Sequence, residues 1–143
     1  MLLKNELKHH RVRNIFVSSA GLYAYPGSPP DPEMVGFLKE KGVPIEEHES
    51  RQITGSDVDW ADRIIVMEHG HFEAIEEAWP KAGTKTELLG KFIDQNENAD
   101  DIIDPYGKTQ YHYRLVKAQI TLAIENLRKD LLIAYAATPN AQD

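Results

Sequence analysis

The chain contains no cysteine among its 143 residues. That absence excludes disulfides, thiolate metal sites and a thiol nucleophile supplied by these residues. No apolar run approaches the ~20 residues that span a bilayer, and no signal-peptide pattern opens the sequence, so a cytoplasmic location is the expectation and a membrane partner is not. Cations are few: 16 Lys and Arg against 23 Asp and Glu give a net charge of −7. Backbone phosphate binding depends on clustered Lys and Arg, so no nucleic-acid partner is expected. The one basic cluster is Lys8-His9-His10-Arg11-Val12-Arg13. It reads as a solvated helix end whose cations suit the helix dipole, or as an anion or partner site.

What is present is ordinary for a folded domain: 41% apolar and 27% charged residues. The length fits a single domain, expected over residues 1–137, with 138–143 as a disordered tail. Residues 1–11 read as a helix with Leu2, Leu3 and Leu7 on one side, starting without a capping residue. Asn14-Ile15-Phe16-Val17-Ser18 reads as a strand, and Gly21 to Pro30 as a loop broken by Pro26-Gly27 and Pro29-Pro30. Asp31-Pro32 opens a helix as cap and first turn, Met34, Phe37 and Leu38 form its buried stripe, and Gly42 ends it. Ser56, three residues before Asp59, predicts a capping box for a short helix near Val58–Asp62.

Ile64-Ile65-Val66-Met67 is a continuous apolar run, the pattern of a strand covered on both faces. A helix over His71–Trp79 is stopped by Pro80, a third strand begins at Glu87-Leu88-Leu89, and an acidic loop follows over 94–103. In the last helix, from about Gln110 to Leu132, Tyr113, Val116, Ile120, Ala123, Leu127 and Leu131 recur at three and four and face the sheet. Strands alternating with helices predict an α/β fold, a doubly wound parallel sheet flanked by helices. The order begins with a helix where such folds begin with a strand, as though the first strand were missing.

Five segments carry a resemblance. They are Val17-Ser18-Ser19-Ala20-Gly21, Gly27-Ser28-Pro29-Pro30-Asp31-Pro32, His48-Glu49-Ser50-Arg51-Gln52-Ile53-Thr54, Ala61-Asp62-Arg63-Ile64-Ile65-Val66-Met67-Glu68, and Asp101-Ile102-Ile103-Asp104-Pro105-Tyr106-Gly107 with Tyr111 and Tyr113 behind it. In this order, from about Asn14 to Leu127, they closely resemble the low-molecular-weight protein tyrosine phosphatases, including the bacterial arginine phosphatases. The resemblance implies hydrolysis of a phosphomonoester or phosphoarginine through a phosphocysteine. In the family a C-x5-R loop after the first strand holds the phosphate on backbone N–H groups and a helix N-terminus. The expected partner is a phosphorylated protein or small phosphate ester, with no cofactor and no metal.

The resemblance assigns Asp104 as the catalytic acid, with Pro105 stiffening its loop. Taken alone, Asp104-Pro105 is also an ordinary helix-start signal. Tyr106 resembles the aromatic that walls the substrate cleft, and Tyr23 and Tyr25 lie in the loop forming the opposite wall, although loop packing alone would also account for that pair. Ser19 and His48 resemble residues that brace the phosphate loop; a satisfied surface histidine is the alternative for His48. The family's Cys and loop Arg have no counterpart here, and Arg11 and Arg13 follow the helix instead of preceding it. Two readings follow: an N-terminally truncated phosphatase, inactive as it stands, or a non-catalytic relative that binds phosphorylated partners or regulates an active homologue. An unpaired strand neighbour also leaves homodimer pairing across the gap open. A metal site at Glu68, His69 and His71 with Asp57 or Asp59 is disfavoured, since His at i and i+2 do not share a helix face; solvated histidines are expected there.

Overall fold

The computed structural model describes residues 1–94 and 99–135, so the expected tail over 138–143 lies outside the described residues. Chain order is α1 (Leu2–His9), α2 (Pro32–Glu40), α3 (Gly55–Trp60), β1 (Ile64–Val66), α4 (His69–Ala78), a 3-10 turn (Pro80–Lys85), β2 (Thr86–Leu88), α5 (Lys91–Asp94) and α6 (Gln110–Tyr135). β1 and β2 pair in parallel with Ile64 opposite Thr86 and Val66 opposite Leu88, and α4 with the 3-10 turn makes the crossover. Beyond the strands, Leu89 N–H donates to the Val66 carbonyl at 2.8 Å.

Alternation along β1 divides the interior into two layers. Ile65 and Met67 join a cluster formed by Leu89, Phe92, Ile102 and the inner face of α6, with Leu3 of α1 and Ile15 packed on it. Ile64 and Val66 join the other, with Val58 of α3 and Ile75 of α4. Helices therefore cover both faces of the short sheet, as the continuous apolar run predicts. The α6 stripe is buried at Tyr113, Val116, Ala123, Leu127 and Leu131, with Ile120 partly buried. Arg63 bonds both Glu87 Oε2 at 2.8 Å and Asp130 Oδ2 at 2.9 Å, so one side chain links the sheet to α6.

Helix ends follow local chemistry. Asp31 Oδ1 accepts from Glu33 N–H at 3.0 Å, as its capping position predicts. Gly42, at φ +69°, follows the last turn of α2. α1 begins without a side-chain cap and closes on the 6→1 and 5→2 bonds Val12 N–H to Leu7 O and Arg11 N–H to Lys8 O. Arg11 takes the left-handed position of that motif at φ 56°, where glycine is the usual residue.

Several expectations are corrected. Asn14–Ser18 is not a strand: its side chains alternate between half-buried and exposed, but its backbone has no neighbour to ladder with. Pairing resumes only at a single parallel bridge between Gly21 and Gln52. The cap of α3 is Thr54, in a reciprocal box with Asp57, two residues ahead of the Ser56–Asp59 frame; Thr54 and Asp57 satisfy the same spacing rule. The third predicted strand starts one residue earlier, at Thr86, whose buried hydroxyl donates to Ala82 O at 2.7 Å. The acidic stretch is not all loop: Lys91–Asp94 is a helical turn, and Ile102, 1% exposed, belongs to the core.

Leu127 is 1% exposed at the centre of the larger cluster. Leu127→Ala is expected to lower unfolding stability by about 2–5 kcal/mol through lost burial and an unfilled cavity, read from urea denaturation midpoints.

Candidate functional site

In open parallel sheets ligands bind beyond the carboxyl ends of the strands. β1 ends there at Val66, and the segment leading to Asp104 is sewn to the residues that follow it. Ile102 N–H donates to Met67 O at 2.9 Å. Asp101 Oδ1 accepts from the His69 backbone at 2.8 Å and lies 2.5 Å from His69 Nδ1. Partial burial pushes the Asp101 carboxyl upward, but the two bonds from His69 outweigh it and hold the group below the ordinary aspartate range. Gly90 passes so close to the Asp100 carbonyl that a Cβ would collide with it, which fixes the other side of this segment.

Asp104 itself is exposed, with Oδ1 accepting from Tyr106 N–H at 3.0 Å. This turn rigidifies the carboxyl through its own backbone while leaving it open to solvent. Nearby, the Tyr113 hydroxyl donates to Asp31 Oδ2 at 2.8 Å. That bond, reinforced by the charges of Asp31, Glu33 and Asp104, pushes Tyr113 up to about 12. Glu33 accepts from Gln110 at 3.2 Å and lies 3.7 Å from Lys117 Nζ, so the starts of α2 and α6 are held together beside the Asp104 loop.

Ser19 and His48 line one open cavity of about 280 Å3, together with Ser28, Pro30, Ser50 and Arg51. The loop from Gly21 to Pro30 is bound to the 48–53 segment by backbone bonds: Gly21 to Arg51, Gly27 to Ser50, Ser50 to Ser28 and Ile53 to Gly21. Gln52 adds two more, accepting from Ala24 N–H at 3.0 Å and donating to Leu22 O at 2.6 Å. Tyr23, Tyr25 and Tyr106 are 85%, 84% and 75% exposed, and among the described residues no ring contact joins them. The structure thus brings Ser19 and His48 together and leaves the three tyrosines as separate exposed rings on two loops.

Arg51 is the cavity residue that sequence reasoning missed. Its guanidinium bonds Asp57 Oδ2 at 2.9 Å and Ser18 Oγ at 3.0 Å, which aims it across the cavity floor. The signal was a cation inside the His48–Thr54 segment with a carboxylate six residues on. Asp57 serves Arg51 and the Thr54 cap at once, and these bonds hold its carboxyl down at about 2. The histidines after β1 are not merely solvated: His69 meets Asp101, and His71 Nε2 lies 3.2 Å from Glu68. Among the described residues no three His, Asp or Glu side chains are grouped to hold a metal ion.

A family model described as low molecular weight phosphotyrosine protein phosphatase matches residues 1–134. The protein-arginine-phosphatase of Geobacillus stearothermophilus is 32% identical over 125 residues, 87% of this chain and 82% of that protein. The low molecular weight protein-tyrosine-phosphatase Etp of Escherichia coli is 29% identical over the same shares. Among solved structures, the YwlE arginine phosphatase of Geobacillus stearothermophilus superposes with a TM-score of 0.84 at 30% identity, covering 99% of this chain and 87% of that one. Vibrio vulnificus Wzb in complex with benzylphosphonate gives 0.76 at 33% identity, covering 90% and 85%.

Because the folded Asp57 carboxyl sits near 2, below the ordinary 3.8, it favours the folded state fully above about pH 4 and progressively less as pH falls toward 2. Asp57→Asn is expected to flatten the decline of the urea midpoint across that window while lowering the midpoint at pH 7.

Proposed function

The chain belongs to the low molecular weight phosphotyrosine protein phosphatase family, and we propose that its residues form the general-acid half of a phosphate-cleaving site, with Asp104 as the acid. The observation that carries this reading is the placement of Asp104: exposed, turned by its own backbone, on a segment tied to the carboxyl end of β1. In the chemistry the family implies, a sulfur–phosphorus bond forms as the phosphorus–oxygen or phosphorus–nitrogen bond breaks. Asp104 gives its proton to the departing atom, then takes one from the water that attacks the phosphocysteine.

The thiolate is the part these residues do not supply. Charge argues that the phosphate cradle is also absent from them. Asp31, Glu33 and Asp104 act together on Tyr113, with Lys117 as the cation beside Glu33. A phosphate dianion is repelled by such a group unless backbone N–H donors and an arginine are set against it. We assign Ser19 and His48 to bracing such a loop from the cavity they line, and Tyr106, Tyr23 and Tyr25 to the walls of the cleft, where exposed aromatic faces can meet a substrate side chain. Arginine- and tyrosine-phosphatase relatives match at near-equal identity, 32% and 29%. The substrate is therefore proposed at the level they share, the phosphorylated side chain of a protein.

The 143-residue chain is expected to show no turnover of an aryl phosphate in a colorimetric assay. Joining a strand and a Cys-x5-Arg loop ahead of Met1 is expected to bring turnover, which Asp104→Asn then lowers by about 10²–10⁴-fold in kcat. Hydrolysis by the unextended chain that survives Asp104→Asn overturns the assignment. An extended, folded but inert chain supports a module that binds phosphorylated partners instead.

A further inference from the structure

The stretch that failed to become a strand lies beside the basic cluster, on a surface separate from Asp104. Between α1 and residues 12–17 runs a groove of about 340 Å3. Its floor is apolar: Leu7, 3% exposed, with Val12, Ile15 and Val17. Its rim carries Lys4, Lys8, Arg11 and Arg13. Ile15, Phe16 and Val17 make no backbone hydrogen bond through either N–H or C=O among the described residues. Three consecutive peptide units with strand-like alternation and no ladder are a template for another strand.

Charge decides which strand. The chain as a whole is at −7, yet four of its cations meet at this groove. Only Lys4 has an acidic neighbour, Glu46 at 3.6 Å, and both side chains are largely exposed. Lys8, Arg11 and Arg13 have no ion-pair partner among the described residues. Gathered like charges repel, and an anionic occupant relieves them. A second copy pairing through the same stretch would bring Arg11 and Arg13 of both copies to one seam, which disfavours it. The apolar floor and the negative net charge disfavour a nucleic acid.

We propose that this groove is a docking site for an extended acidic peptide segment of a partner protein. The peptide adds as a strand along Ile15–Val17, seats apolar side chains against Leu7, Ile15 and Val17, and sets its carboxylates on the Lys4, Lys8, Arg11 and Arg13 rim. Backbone bonds supply affinity in such strand addition, and the pockets and charges supply selectivity. The inference does not rest on Asp104 or on any phosphate chemistry.

The test is fluorescence anisotropy of a short labelled peptide alternating valine and glutamate, against counterparts with lysine for glutamate or serine for valine, using the whole chain. The valine–glutamate peptide is expected to bind about tenfold or more tightly than either counterpart and to weaken as salt is raised. The Lys8→Glu, Arg13→Glu double variant is expected to lose about tenfold in affinity with its urea midpoint unchanged, both side chains being exposed. Hydrogen exchange is expected to slow at the Phe16 and Val17 amides when the peptide binds. Equal binding of the lysine peptide, an unaffected double variant that remains folded, or unprotected amides under saturating peptide each overturn the proposal. So does concentration-dependent self-association through this stretch that the peptide fails to displace.

Discussion

Burial of one face of α6 is the interaction on which the other elements depend. A helix of 26 residues gains little from propensity alone and is held by what covers its apolar stripe. Val116, Ala123, Leu127 and Leu131 are covered by Leu89, Phe92 and Ile102, and a fully buried residue the size of Leu stabilises by about 1.5–3 kcal/mol. The polar contacts of α6 then fix its neighbours. Arg128 Nε lies 3.2 Å from Glu6 on α1, Asn126 donates to the Phe92 carbonyl at 2.6 Å, and Arg63 reaches Asp130 from the edge of β1. At the other end Tyr113 grips Asp31, so the helix that closes the core also sets the region in which Asp104 stands.

Backbone pairing is the second constraint, and it is unevenly met. The β1–β2 ladder, the Gly21–Gln52 bridge and the bonds between the 21–30 loop and the 48–53 segment give the cavity its walls. Beside them the Ile15–Val17 backbone is unpaired. A parallel ladder needs a neighbouring strand in register, and side-chain pattern cannot substitute for one. The same chain therefore holds a well-bonded site region at the loop ends of the sheet and an open template at its side. These two surfaces carry opposite charge: carboxylates around Tyr113, and lysines and arginines along α1.

Legibility followed the range of the interaction. The α2 cap, the apolar β1 run and the α6 stripe were readable because each depends on residues within a few positions of one another. The α3 cap was displaced by two positions because Thr54–Asp57 competes with Ser56–Asp59 on equal spacing, and Arg51, by bonding Asp57, favours the first. His69 read as solvated because its partner Asp101 lies 32 positions away. Tyr113 read as core, and its bond to Asp31, across 82 positions, was invisible.

The sequence by itself determined the family, the alternation of helix and strand, and the chemical limit set by the absence of cysteine, because motif order, periodicity and composition are properties of the linear chain. Only the tertiary structure decided which carboxylates share a neighbourhood with Asp104, which cation enters the Ser19–His48 cavity, and whether Asn14–Ser18 becomes a strand. Each of those depends on a partner distant in sequence. A strand in particular is completed by another strand's hydrogen bonds, which its own residues do not encode.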